Sequence, residues 1–332
     1  MNKVLNYISD FFVLWNLKKI SNGYLNLIDS KGKNYFFGDN KSTLRANIKI
    51  NDPSFCYKIL RKGSSGLGES YMKGEFETQD LTSLIELSAK NIDITYKFSG
   101  FFEFSLLKNL VKKNIFNNTK KRSKKNISFH YDLGNDFFSI WLDKTLTYSC
   151  GIFNSSNESL EQAQINKYNK LINMVKPRRG DKILEIGCGW GGFAEHVAKN
   201  YNIKLDCITI SRKQYLFTKE RINKAGLNNK VNIKMMDYRD LKGKYDIIVS
   251  IEMIEAVGEK YLDKYFNIIK DNLSSGGRAA IQAIVIKDEL YNRYRKKEDF
   301  IQKYIFPGGF LPSINSLNKI SHKSGLKIDK YY

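Results

Sequence analysis

Ile183-Leu184-Glu185-Ile186-Gly187-Cys188-Gly189-Trp190-Gly191-Gly192 is the stretch that decides the fold. Ile183, Leu184 and Ile186 make a short apolar run of strand character, with Glu185 near its end. Four glycines follow before residues 193–200 resume in helical register. The pattern is a strand, a tight turn and a helix. Glycine, having no Cβ, lets the turn fold sharply and lets a ligand lie against bare backbone, with the helix N-terminus facing it. A nucleoside-bearing cofactor suits such a turn; glycines that serve only close packing are the plainer alternative.

Gly187, Gly189 and Gly192 satisfy the G-x-G-x-x-G spacing of dinucleotide-binding folds, a weak signal alone. A dinucleotide site calls for an acidic residue about 20 positions on, at the tip of the second strand, to hold the ribose. The second strand here, residues 204–210, ends in Thr209-Ile210-Ser211 without a carboxylate. Glu185 instead precedes the first glycine, and E-x-G-x-G is the pattern of S-adenosylmethionine-dependent methyltransferases. A third strand, residues 231–236, delivers Asp237, placed to accept a hydrogen bond from an adenine amino group. The methyltransferase reading is therefore favoured over the dinucleotide one.

Outward from this core, strands at 204–210, 231–236, 245–251 and 278–286 alternate with helices at 160–175, 212–225 and 261–272. That alternation predicts a parallel sheet with helices on both faces. Ligands in such sheets bind beyond the carboxyl ends of the strands, where Gly187, Ser211, Asp237, residues 252–255 and Gln282 would converge. Upstream, residues 1–20 read as an amphipathic helix, with Leu5, Ile8, Phe12 and Trp15 on one face. It would either pack on a core or touch a membrane. Residues 24–28 and 33–37 alternate around Asp29-Ser30-Lys31-Gly32 as a hairpin, and 44–50 as a third strand. Asp52-Pro53 opens a helix to about residue 62, and Asp80 caps another to about residue 90. The first hundred residues thus predict a small α+β binding or docking module with nothing catalytic in it.

A chain of 332 residues has room for two domains. The four cysteines form no C-x-x-C pair and only three histidines occur, which argues against a disulfide framework or a zinc or histidine-built metal centre. No apolar run reaches membrane-spanning length, and the N-terminus shows no cleavable signal, so a cytoplasmic location is expected. The net charge of +21 favours polyanions, nucleic acid or anionic membrane, although a composition rich in Lys, Asn and Ile can carry charge without function. Residues 108–125 hold eight basic side chains and no acidic one, the mark of an exposed linker able to meet an anionic surface.

Taken together, H-Y-D-L-G-N-D-F-F from His130, T-Y-S-C from Thr147, L-E-I-G-C-G-W-G-G from Leu184, I-T-I-S-x-x-Q from Ile208, D-Y-R-D-L from Asp237, I-E-M-I-E-A-V-G from Ile251 and Y-I-F-P-G-G-F-L-P-S from Tyr304 closely resemble the cyclopropane-fatty-acyl-phospholipid synthase family. That family includes mycolic acid cyclopropane synthases and mid-chain fatty-acid methyltransferases. G-L-G-E-S-Y-M-K-G-E-F from Gly66 resembles its N-terminal lipid-binding domain. The resemblance implies an α/β fold: a class I S-adenosylmethionine-dependent methyltransferase domain, Rossmann-like, over residues 129–332, preceded by an α+β lipid-binding domain (1–107) and a basic linker (108–128).

It also implies an enzyme that transfers the methyl carbon of S-adenosylmethionine to the cis double bond of unsaturated phospholipid acyl chains, forming a cyclopropane. Such an enzyme would work peripherally at the anionic inner face of the membrane. In the family a bound bicarbonate acts as base, held by cysteine, glutamate, histidine, tyrosine and a backbone group. Carried across, the catalytic residues are Cys150, Glu255 and Gln282. For the cofactor the family pattern assigns Tyr148, Ser149, Gly187, Cys188, Gly189, Thr209, Ile210, Gln214, Tyr238 and Arg239; Gly191 joins them from the turn, and Glu185 and Asp237 from the residue reading.

Two departures keep alternatives open. The family's H-T-I reads Gln282-Ala283-Ile284, and an amide cannot carry the proton that histidine can, which admits mid-chain methyl or methylene branching instead of ring closure; Ala256 in place of a second histidine is a lesser change. The family pattern also continues beyond Tyr332 with the anion-site tyrosine and a last antiparallel strand, which admits a non-catalytic lipid- or cofactor-binding chain. A nucleic-acid methyltransferase is disfavoured, since there is no N-P-P-Y motif and Cys150 lacks a preceding proline. No nucleic-acid partner is expected, and a homo-oligomer stays open.

Overall fold

A computed structural model describes residues 3–94, 118–131, 134–296 and 298–332. By backbone packing the chain forms two units: Met1–Val111 with Glu298–Lys303, and Lys112–Lys297 with Tyr304–Tyr332.

The first unit runs α1 (Lys3–Leu17), β1 (Tyr24–Ile28), β2 (Asn34–Gly38), β3 (Arg45–Ile50), α2 (Phe55–Lys62), α3 (Ser64–Met72), β4 (Phe76–Glu77) and α4 (Leu81–Lys90). The sheet order is β2-β1-β3-β4, with β1 antiparallel to β2 and parallel to β3. Strand alternation sends Leu25, Leu27, Ala46, Ile48 and Ile50 inward, against Val13 of α1, Phe55 and Leu60 of α2, and Leu84 and Leu87 of α4. Asp80 caps α4 as expected, its side chain accepting from Ser83 N at 3.0 Å. Val4, Tyr7, Ile8, Phe11 and Trp15 of α1 stay exposed. Gly66–Met72 of the motif from Gly66 is the body of α3. The late segment Glu298–Lys303 returns to this unit: Lys303 Nζ lies 2.5 Å from the buried Glu69 carboxylate, and Phe300 sits on Gly68, where a Cβ would come within 2.3 Å of its ring.

The second unit contains α5 (Lys120–Tyr131), α6 (Asn135–Ser139), α7 (Leu160–Val175), β5 (Lys182–Ile186), α8 (Gly192–Asn200), β6 (Lys204–Thr209), α9 (Arg212–Lys224), β7 (Val231–Met235), β8 (Tyr245–Ile251), α10 (Leu262–Asn272), β9 (Leu273–Gln282), α11 (Asp288–Tyr294) and α12 (Ile314–Lys323). Its five strands are parallel, in the order β7-β6-β5-β8-β9. Ile183, Leu205, Cys207, Ile247 and Val249 face one layer with α7 and α8, while Leu184, Ile186, Ile208 and Ile248 face the other with α10 and α12. This is the doubly covered sheet that near-continuous apolar strands require.

Three expectations differ from the structure. The last strand, expected at 278–286, runs Leu273–Gln282, because Leu273 opposite Tyr245 is followed by Arg278 opposite Ile247, and residues 274–277 bulge out between them. Beyond Gln282, among the described residues, only an isolated bridge, Ile286 to Ser313, continues the pairing. Residues 326–329, which in sequence also read as a strand after the last helix, form none; Leu326 N bonds to Ser321 O after α12 and its side chain joins the core. Residues 120–128, read as the end of a basic linker, are helical within α5, while 108–117 lie outside the described residues.

Candidate active site

At the carboxyl ends of β5, β6, β7 and β8 a cavity encloses about 1070 Å³ of non-atom space, part of it open to solvent. The turn after β5 is pinned to β6 by Gly187 N and Cys188 N, which both donate to Ile208 O at 3.0 and 3.1 Å. Gly187, Gly189 and Gly191 have φ of +83°, +52° and +82°. A Cβ on Gly189 would meet nothing within 4 Å, so bare backbone faces the cavity there. Gly191, expected beside it, is off the cavity wall: its Cβ direction points at Thr218 Cγ2, 2.5 Å away, and its role is to let α9 approach.

Tyr148, Ser149, Glu185, Gly187, Cys188, Gly189, Thr209, Ile210, Gln214, Asp237, Tyr238 and Arg239 all line this cavity. Glu185 is 2% exposed, and the Cys207 thiol donates to its Oε2 at 3.5 Å. Burial pushes its pKa up to about 7, against the thiol hydrogen bond and the charge of Lys167. Gln214, in the first turn of α9, accepts from Thr209 Oγ1 at 2.9 Å. Asp237 accepts from Arg239 N at 3.0 Å, Nε at 2.8 Å and Nη2 at 2.6 Å. Burial would raise Asp237, but the hydrogen bonds and charge of Arg239 outweigh it and leave the carboxyl below its ordinary value. Arg239 also donates to Asn118 O at 2.8 Å and Ser123 Oγ at 3.2 Å, so its guanidinium ties Asp237 to the start of α5. Tyr148 stands in an aromatic box with Phe138, Trp141 and Phe306, at centroid distances of 5.4, 5.2 and 6.1 Å. A buried carboxylate with one weak donor, open backbone at Gly189 and an aromatic box together suit a nucleoside bearing a cationic group.

The three expected catalytic residues gather beside this cavity. Glu252, directly after β8, lines the cavity and joins two of them, Cys150 and Gln282. Its Oε1 accepts from Cys150 N at 3.0 Å and from Gln282 Nε2 at 2.9 Å. Gln282 Nε2 also lies 3.0 Å from Cys150 Sγ, and Gln282 Oε1 is buried without a partner. Glu255 Oε1 accepts from Ile284 N at 2.5 Å, while its Oε2 is buried and unpartnered. Burial lifts the Glu255 pKa to about 7, opposed by the Ile284 N–H and reinforced by Glu252. The Cys150 thiol is likewise pushed up, by burial first and then by the hydrogen bond and charge of Glu252.

Sequence reasoning passed over two residues. Glu252 lay within the converging span 252–255 but was not singled out; its signal is a carboxylate at the tip of the strand beside β5. Lys167 of α7 is 1% exposed and its Nζ lies 2.5 Å from Ser149 Oγ. Burial lowers its pKa to about 8, opposed by Glu252, Cys150, Asp143 and Glu185. Its signal was phase, since Lys167 shares the buried face of α7 with Ala163, Gln164 and Leu171.

A family model described as mycolic acid cyclopropane synthetase matches residues 118–332. The chain is 35% identical over 279 residues to the tuberculostearic acid methyltransferase UfaA1 of Mycobacterium tuberculosis, covering 82% of this chain and 65% of that protein. It is 36% identical over 277 residues to the cyclopropane-fatty-acyl-phospholipid synthase of Escherichia coli K12, covering 83% of this chain and 69% of that protein. The chain thus spans about two thirds of the length of these relatives. Among solved structures, the mycolic acid cyclopropane synthase CmaA1 with SAH and CTAB aligns with a TM-score of 0.58 at 27% identity, over 62% of this chain and 76% of that one. The cyclopropane synthase MmaA2 of M. tuberculosis also aligns with a TM-score of 0.58, at 25% identity and the same coverages. The parallel sheet, the glycine turn with its preceding glutamate and these matches agree: the chain belongs to the mycolic acid cyclopropane synthetase family and carries an S-adenosylmethionine-dependent methyltransferase fold.

Proposed function

We propose that the protein transfers the methyl carbon of S-adenosylmethionine to the cis double bond of an unsaturated phospholipid acyl chain and closes a cyclopropane. The observation that carries this reading is the carboxylate-centred cluster of Cys150, Glu252 and Gln282 opening onto a cavity built for a nucleoside. S-adenosylmethionine, when bound, supplies an electrophilic methyl on a sulfonium. Glu185 would hold the ribose hydroxyls, the backbone at Gly187 and Gly189 would cradle the amino-acid portion, Asp237, fixed by Arg239, would take the adenine amino group, and the ring of Tyr148 would face the sulfonium. A carboxylate at the cavity wall suits an alkene reaction, in which the cation left on the chain must give up a proton.

A second reading, methyl or methylene branching at mid-chain, is favoured by one feature: Gln282 cannot carry a proton. The relative UfaA1 is a methyltransferase by name. Incubating the protein with methyl-labelled S-adenosylmethionine and cis-unsaturated phospholipid vesicles separates the two. A labelled acyl chain about 14 Da heavier with a ring supports cyclopropanation; a retained or shifted double bond supports branching; no labelled lipid with cofactor binding intact overturns both.

The lipid would be met at an anionic bilayer surface. In support, α1 exposes Tyr7, Phe11 and Trp15 beside lysines, and the chain carries +21. Among the described residues no helix is long and apolar enough to cross a membrane.

A further inference from the structure

Glu252 adopts φ +44°, a left-handed conformation that glycine takes freely and glutamate does not. Among the described residues only Leu146 and Lys176 share that departure. Its backbone N donates to Gln282 O at 3.0 Å, so the strand end is fixed, and the side chain is turned onto two N–H donors, Cys150 N and Gln282 Nε2. Ile284 N, a third donor in the cluster, is engaged by Glu255. A bound bicarbonate would need these donors, and protein carboxylates already hold all three. Strain kept in place by its surroundings at the edge of a cavity points to function.

We infer that Glu252 is the resident anion of this site, standing where a bound bicarbonate would otherwise act, and that it accepts the proton released as the ring closes. The second half of this rests on the proposed methyl transfer. The π electron pair of the alkene forms a carbon–carbon bond to the methyl as the carbon–sulfur bond breaks, its pair remaining on sulfur. The new methyl gives a proton to the Glu252 carboxylate, and the freed C–H pair closes the second carbon–carbon bond. The carboxylic acid then passes its proton to water. Lys167 supplies the opposing charge, Cys150 and Gln282 hold the carboxylate in place, and Glu255 is the nearby acid whose charge it discourages.

The test reads Cys150 as well as turnover, because Cys150 is the exposed cysteine while Cys56, Cys188 and Cys207 are buried. Its alkylation by iodoacetamide is followed at fixed pH with and without bicarbonate. In the natural protein bicarbonate should leave both the alkylation rate and labelled-lipid formation unchanged. Glu252→Gly, which suits the backbone and should keep the thermal midpoint, is expected to lose turnover by about 10²- to 10⁴-fold. In that variant bicarbonate should both protect Cys150 and restore part of the turnover. Glu252→Gln, with an amide filling the same space, should show neither protection nor rescue. Protection of Cys150 by bicarbonate in the natural protein, or full turnover of Glu252→Gly in bicarbonate-free buffer, would overturn the assignment. Should the natural protein label no lipid while the Cys150 pattern holds, the transfer reaction fails and the resident anion stands.

Discussion

Glu185 is under two opposed demands. Burial favours its neutral form, and a ligand diol would favour the carboxylate, since hydroxyls donate to it. Its folded pKa, raised from 4.5 to about 7, means that its contribution to stability is fully present below pH 4.5 and lost as pH rises through 7. Glu185→Gln should therefore be more stable than the natural protein by about 3 to 4 kcal/mol at pH 8, on the scale of about 1.4 kcal/mol per pKa unit, and nearly equal to it near pH 4.5. Urea midpoints across that range check this. Cofactor binding carries the reverse sign: affinity for S-adenosylhomocysteine should rise by up to about tenfold per pH unit towards 7 and then level off, and Glu185→Gln should abolish the slope. Calorimetric titration over pH 5.5–8.5 decides it. Glu185 was legible because a strand tip and a glycine turn fix its place locally. The hold of Glu252 on Cys150 was not, because it joins residues 102 apart in sequence through a backbone angle that no local pattern announces.

At the level of elements, the glycine turn is shaped as much by α9 as by any ligand. Thr218 Oγ1 donates to Gly189 O at 3.0 Å, and its methyl occupies the space a Gly191 Cβ would need. Gly191→Ala should cost about 1–3 kcal/mol from combined backbone strain and overlap. Adding Thr218→Ser, which keeps the hydroxyl and removes the methyl, should recover the steric part but not the part due to φ +82°. Chemical denaturation of the single and double variants measures the split. Strand and helix periods made β5, β6, β7, β8 and their intervening helices readable. The start of β9 was hidden because Ser274, Ser275, Gly276 and Gly277 have no strand character of their own and bulge within the pairing. The charge run at 120–125 masked α5, whose Ser123 and Ile127 line the cavity.

For the whole molecule, charge and one helix face lead to the membrane prediction. Vesicles containing anionic lipid should sediment with the protein at low salt, and the bound fraction should fall as salt rises. Replacing Phe11 and Trp15 together by serine should weaken binding by about tenfold or more while leaving the salt dependence in place, because apolar burial is lost and charge is not. In the structure the chain divides into two units, one of which includes a late segment. The return of residues 298–303 to the first unit was not legible in the sequence, since nothing local marks six residues as belonging to a sheet and helices more than 200 positions earlier. That return has a consequence for biogenesis. As the chain leaves the ribosome, the leading unit can collapse around its sheet, but Glu69 must wait for Lys303, and Gly68 for Phe300. At roughly 5–20 residues per second the wait is on the order of ten to fifty seconds, during which the buried Glu69, paired with Lys62 in the finished fold, is without Lys303. The unit that emerges first is thus among the last to be finished.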